Sequence, residues 1–189
     1  MYADNTLTPK EAIRLCALGT LAGGAMRYAD LATEVRHFIS RITGPSLELM
    51  AESIELLRYE GLVDAEGGEE RLDEAMVTIT AAGRETLQTL LVANLRPGNS
   101  DLNELVVALK FRFLHLLSGE QRDDQMEILI EACETDLARL EDLRDHHASD
   151  AGYLIDWLDH DIGRLKSRLS WLNDFRQRIN QHDASDTAA

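Results

Sequence analysis

The segment Pro45 to Val63, PSLELMAESIELLRYEGLV, constrains the fold more than any other part of the chain. Leu47, Met50, Ile54 and Leu57 recur at spacings of three and four, which places them on one stripe of an α-helix. Gly61 stops that helix, because glycine takes up the left-handed turn that other residues resist, and Leu62-Val63 open an extended apolar piece. The opposite face carries Glu48, Glu52, Glu55 and Tyr59. The helix is therefore apolar on one side and acidic on the other, and a glycine fixes its end.

The surrounding segments give this helix a context. Thr8-Pro9-Lys10-Glu11 reads as a helix start, with Thr8 as N-cap, Pro9 at the first helical position and Glu11 closing a capping box. Ile13, Leu15, Cys16, Leu18 and Leu21 form its apolar side, and Gly23-Gly24 end it. A second helix is expected from about Tyr28 to Phe38, with Leu31, Val35 and Phe38 inward. After the third helix, Gly61–Ala65 and Ala75–Ile79 read as two short strands around the polar loop Glu66-Gly67-Gly68-Glu69-Glu70-Arg71. Thr80 then caps a further helix to about Leu95. The order helix, helix, helix, strand, strand, helix is that of a winged helix-turn-helix.

Arg96-Pro97-Gly98-Asn99-Ser100 combines helix breakers with turn residues and predicts a linker. Everything beyond it reads as helix. Leu102, Leu105, Val106, Leu109, Phe113 and Leu116 stripe one helix, which Ser118-Gly119 ends. Met126, Ile130, Cys133, Leu137 and Leu140 stripe the next, with Arg144 in the same register. Leu158, Ile162, Leu165, Leu169, Leu172, Phe175 and Ile179 form a seam on the last. Three long amphipathic helices cannot bury such stripes as a flat layer, so pairing with a second subunit is expected. The expected class is thus mainly α: a winged helix-turn-helix domain over 1–95, a linker over 96–101, a helical dimerisation domain over 102–180 and a flexible tail over 181–189. Leu158, Ile162, Leu165, Leu169, Leu172 and Phe175 are the expected dimer contacts, and Trp157 and Trp171 read as packing and interface anchors.

Charge bears on what such a chain can bind. The net charge is −15, and the excess is shared: residues 1–95 hold 8 Lys and Arg against 15 Asp and Glu, and the remainder 11 against 19. Nucleic-acid binders draw affinity from neutralised phosphates and so need a basic surface, at least locally. No apolar run approaches the roughly 20 residues of a membrane span, and no basic-then-apolar leader opens the chain, so a cytoplasmic location is expected. Cys16 and Cys133 have no CxxC or Cys/His spacing and read as small buried apolar residues.

The sequence resembles the PadR family of bacterial transcription regulators. The resemblance rests on Ala17-Leu18-Gly19-Thr20-Leu21, Asp30-Leu31-Ala32, Leu57-Arg58-Tyr59-Glu60-Gly61-Leu62-Val63 and Ile79-Thr80-Ala81-Ala82-Gly83-Arg84-Glu85. In the C-terminal half it rests on Phe113-Leu114-His115-Leu116-Leu117, His160-Asp161 and Leu169-Ser170-Trp171-Leu172. It implies an N-terminal winged helix, dimerisation through the C-terminal helices, and binding to a palindromic operator DNA. The chain departs from the family pattern where DNA contacts would lie. Counting back from Gly61, Glu48 and Ala51 hold the places usually given to a small residue and a tyrosine. The wing has Arg71 alone among Glu66, Glu69, Glu70, Asp73 and Glu74.

Arg41, Thr43, Ser46, Arg58 and Arg71 are the expected DNA contacts, since cations and a helix N-terminus both hold phosphate. The alternative is a protein-interaction module in which Glu48, Leu49, Glu52, Glu55 and Leu56 face a basic protein partner. Asp156 with His160, and Asp145-His146-His147, have spacings a divalent metal could use, but no third ligand is compelled and they read as solvated. Glycine-rich phosphate loops, nucleophile elbows and Ser/His/Asp arrangements are absent from the sequence. No cofactor, metal or enzymatic activity is expected.

Overall fold

The computed structural model describes residues 5–43, 50–66, 74–96 and 101–187. The elements in chain order are α1 (Pro9–Ala22), β1 (Met26–Arg27), α2 (Tyr28–Thr43), α3 (Met50–Tyr59), β2 (Val63–Glu66), β3 (Met76–Ile79), α4 (Ala81–Leu91), α5 (Asp101–Phe113), α6 (Gly119–His146) and α7 (Leu154–Thr187). They form two compact units. The first holds the described residues up to Arg96 together with Asp101–Leu117, and the second begins at Ser118.

The first unit is a winged helix with a small antiparallel sheet in the order β1-β3-β2. Its local starts and stops follow the sequence closely. The Thr8 hydroxyl accepts the Glu11 N–H, and the Glu11 carboxylate accepts the Thr8 N–H at 2.7 Å, completing the expected capping box of α1. Thr80 caps α4 by accepting the Gly83 N–H at 3.0 Å. β2 and β3 pair from Val63↔Ile79 to Glu66↔Met76, as expected of the hairpin. β1 was not expected. Its two residues pair with Met76 and Val77, and a strand that short shows no alternation in a sequence.

Packing refines the inward faces. Leu31, Val35 and Ile39 are the buried residues of α2, which continues to Thr43. Ile39 takes the place expected for Phe38, which is half-buried under the Arg112 guanidinium, 4.5 Å from its ring centroid. Ile13, Leu15 and Leu18 of α1, Leu57 of α3, Leu91 of α4 and Leu105 and Leu109 of α5 complete the core. Each such side chain contributes about 2 kcal/mol by leaving water.

α5 belongs to this unit, although the sequence places it beyond the linker with the helical region. Two close approaches hold it. An ideal Cβ at Gly19 of α1 would sit 2.5 Å from the Phe113 ring, so only glycine lets α5 reach α1. Arg112 also donates to the Glu34 carboxylate of α2 at 2.7 Å.

The second unit is an antiparallel helical hairpin. Ser118 and Gln121 form a capping box at the start of α6. Charged pairs then tie α6 to α7 along its length: Asp123 to Arg176 at 2.6 Å, Glu141 to Lys166 at 2.8 Å, and Asp159 to Arg144. Between them Met126, Ile130 and Cys133 of α6 and Leu158, Ile162 and Leu172 of α7 are buried. α7 runs to Thr187, through most of the segment expected as a tail.

Candidate nucleic-acid interface

The end of α3 is built by backbone hydrogen bonds around one glycine. Leu62 N–H donates to Leu57 O at 2.8 Å and Gly61 N–H to Arg58 O at 3.0 Å, with Gly61 at φ +69. These are the two bonds of a Schellman stop, which the positive φ permits. The turn carries the chain straight into β2. Across it, Thr80 N–H donates to Leu62 O at 3.1 Å, and the Thr80 hydroxyl to Gly61 O at 2.8 Å. A Cβ at Gly83 would lie 2.1 Å from the Leu62 carbonyl oxygen, so the start of α4 packs on this turn only because position 83 is glycine.

This scaffold fixes which side of α3 faces outward. Leu57 is fully buried, Glu55 is exposed, Leu56 is 44% exposed and Tyr59 is 91% exposed. Glu60 forms an ion pair with Arg14 of α1, which attaches the helix end to the core. The outward side at this end of α3 thus offers a carboxylate, a leucine and a tyrosine.

The residues expected to contact DNA are only partly brought together. Arg41 lies exposed in the last turn of α2. Thr43 ends that helix, and its hydroxyl donates back to Ile39 O at 3.1 Å, so its donor is already engaged. Arg58 is half-buried in the last turn of α3. Ser46 and Arg71 lie outside the described residues, as do Glu48, Leu49 and the side chain of Glu52 from the alternative surface. Arg36 and His37 are exposed on α2 together with Arg41, and Arg27 is exposed on β1. Near α3 the exposed cations Arg36 and Arg41 thus lie on α2 and Arg27 on β1, while the exposed end of α3 carries Glu55; Lys10, Arg84 and Arg96 are exposed elsewhere on the unit.

Magnitudes show what this division requires. At an effective dielectric of about 20, unit charges 4 Å apart interact by about 4 kcal/mol, falling to about 1 in bulk water. A phosphate against Glu55 therefore needs a cation near it or a layer of solvent between. A phosphate against Arg36 or Arg41 gains a similar amount.

Two groups in this unit have strongly shifted titration. Burial pushes the Cys16 thiol up to about 12, which leaves it protonated and unreactive, in keeping with its reading as a small apolar residue. Burial lowers Lys110 to about 8. The Lys110 ammonium is 1% exposed and donates to Leu91 O at 2.7 Å and Ala93 O at 2.6 Å, satisfying carbonyls at the C-terminal end of α4. Sequence reading had no sign of this lysine, because its neighbours on α5 come from α4. Among the described residues no group of three or more His, Cys, Asp or Glu is placed to hold a metal ion, and Asp156 and His160 are exposed. No described helix is long and apolar enough to cross a membrane.

The architecture is that of a winged-helix regulator. Residues 2–176 match the family model described as "Putative AphA-like transcriptional regulator", and the chain belongs to that family. The class is the one that the sequence motifs imply, a family of transcriptional regulators and not of enzymes. No curated protein sequence matches the chain. Among solved structures, Bacillus subtilis PadR in complex with p-coumaric acid is similar at 18% identity and a TM-score of 0.36, covering 93% of this chain and 99% of that one. PadR of the same organism in complex with operator DNA is similar at 18% identity and a TM-score of 0.35, covering 88% and 98%. A further crystal form of that PadR gives 17% identity and a TM-score of 0.38, covering 89% and 99%.

Proposed function

We propose that the chain is a cytoplasmic, homodimeric, PadR-like transcription regulator that binds operator DNA through its winged helix. Membership of a transcriptional-regulator family over residues 2–176 carries this reading. The exposed Arg36 and Arg41 on α2 support it, because they offer phosphate contacts beside an acidic α3. Arg58, with Ser46 and Arg71, completes the candidate contacts, while Thr43 drops out because its hydroxyl donates to Ile39 O. Two-fold symmetry of the dimer would make the operator palindromic.

Anisotropy titration against DNA from upstream of its own coding sequence tests the reading. Binding should be tightest at low salt and weaken steeply as salt rises. Arg36→Glu with Arg41→Glu should weaken it by about tenfold or more through loss of phosphate contacts. No binding at low salt would sink the DNA reading, since phosphate contacts are strongest there.

A second reading rests on one observation: Leu56 is 44% exposed and does not widen the core stripe. With Glu55 and Tyr59 it would offer a basic protein partner an apolar point inside an acidic surround. A pull-down with Glu55→Lys and Leu56→Asp separates the two readings. Loss of a protein partner with unchanged DNA affinity favours the second.

A further inference from the structure

The outward side of α2 holds a titratable group between its two arginines. Arg36, His37 and Arg41 are all exposed, on the side of the helix opposite the buried Leu31, Val35 and Ile39. The chain has six histidines, and the other five, from His115 onward, all follow α5. His37 is thus the one histidine within the elements α1 to α5. Its natural partner on the helix would be Glu34, one turn earlier. Arg112 of α5 takes that carboxylate instead, at 2.7 Å. Among the described residues the His37 ring makes no hydrogen bond or ion pair, and only its backbone carbonyl is engaged, accepting from the Ser40 hydroxyl at 3.1 Å.

The helices and strand packed against α2 leave the ring without a charged partner. They are α1, α3, α5 and β1. On α1, Glu11 closes the capping box, Arg14 is paired with Glu60, and Lys10 is exposed in the first turn. On α5, Asp101 and Glu104 stand in the first turn, and Lys110 is buried against the end of α4. Glu55 of α3 and Arg27 of β1 are exposed, and Arg58 of α3 is half-buried. None of these pairs with the ring among the described residues. Histidine side chains change charge between about pH 8 and pH 5. A third positive charge beside two arginines is repelled, whereas a phosphate lying against all three turns that repulsion into attraction. Proton uptake and phosphate binding then reinforce each other, because linkage is reciprocal.

We propose that His37 is a proton-dependent phosphate contact, so that the winged helix grips DNA more tightly as pH falls through neutrality. The inference rests on the DNA-binding reading above and deepens it, by naming the residue through which affinity responds to pH. Arg36 and Arg41 supply constant charge, and His37 supplies the charge that varies.

Anisotropy titration of the full chain tests it, with labelled duplex from upstream of its coding sequence, at about pH 5.5 and about pH 8 over a series of salt concentrations. Circular dichroism confirms that each variant is folded. The wild type should bind about fivefold or more tightly at the lower pH. Its log–log salt slope should be steeper there by about one, the mark of one more neutralised phosphate. His37→Gln should remove more than half of both differences, since an amide cannot take up the charge. His37→Arg should bind at the higher pH with the affinity and slope that the wild type shows at the lower. A wild type whose affinity and slope ignore pH overturns the inference and leaves the DNA reading standing. So does a His37→Gln variant that keeps more than half of the pH response, which would assign it to the histidines beyond α5. Absence of binding at low salt at both pH values overturns the DNA reading and this inference together.

Discussion

The two units bury their apolar surface in different ways. In the first, α1, α3, α4 and α5 surround a closed core, with Leu15, Leu18, Leu57, Leu91 and Leu109 essentially inaccessible. The Phe113 ring lies against Gly19 and the Leu62 carbonyl against Gly83, where an added side chain would collide. In the second, two helices meet along one line held at intervals by ion pairs, and both tryptophans of α7 stay about half exposed. A closed layer of helices can satisfy its apolar stripes from within, whereas a two-helix hairpin buries only the faces along which its helices meet. The winged helix is therefore the self-sufficient unit of the two.

Gly83→Ala strikes the self-sufficient unit hardest. The added methyl would meet the Leu62 carbonyl at 2.1 Å, a backbone atom that cannot swing aside. A loss of about 3 kcal/mol or more is expected from such overpacking, read as a lower urea midpoint. Gly23→Ala is the control: its nearest neighbour is at an ordinary 3.4 Å, and the midpoint should hardly move. Equal effects at the two positions would remove close packing as the feature that sets the first unit apart.

A smaller effect is expected at Lys110, whose folded pKa of about 8 lies below its ordinary 10.5. Between those values the unfolded chain holds more protons, so the stability of the wild type should rise with pH in that window. Lys110→Met should abolish this rise, by on the order of 1 kcal/mol or more across the window. Paired denaturation curves at pH 7.5 and 10 measure it. Parallel behaviour of the two proteins would show that the buried ammonium is not what titrates.

The smallest effect belongs to the hairpin. Hydrogen bonds from Arg176 and Asn180 hold Asp123 at about 2, below its ordinary 3.8. Its contribution is present above about pH 4 and lost as pH falls towards 2, the sign for a carboxylate with a depressed folded pKa. Asp123→Asn should cost about 1 kcal/mol or less near neutrality, as befits a partly exposed pair. The variant should also lack that acid-side loss when unfolding is followed from pH 4 to 2. A larger cost at neutral pH would mean that ion pairs, more than the leucine seam, hold α6 to α7.

Legibility in the sequence followed the range of the interactions. The Thr8 capping box, the Gly61 stop and the Thr80 cap were all readable, since each is completed within a few residues. Phe38 was placed in the core where Ile39 lies, because the exchange needs Arg112, a residue of α5, to cover the ring. β1 escaped notice because its partner is β3, some fifty residues on, and it has only two residues of its own. The candidate DNA surface was the least legible part. Arg41 emerged exposed, but the Thr43 hydroxyl is engaged by its own helix, and the exposure of Arg36 and His37 depends on how α2 packs.

By itself, the sequence determined the chain of elements and where most of them begin and end, together with the acidic balance that any DNA reading must accommodate. Capping, glycine stops and periodicity act over one or two turns, and one strand of sequence contains all of their terms. Tertiary structure decided which stripes those elements bury inside the chain. It drew α5 into the winged-helix unit, sank Lys110 against the end of α4, and spent the leucine seam of α7 on α6. Burial depends on which surfaces meet, and those surfaces come from segments far apart in the sequence, whose packing no local pattern specifies.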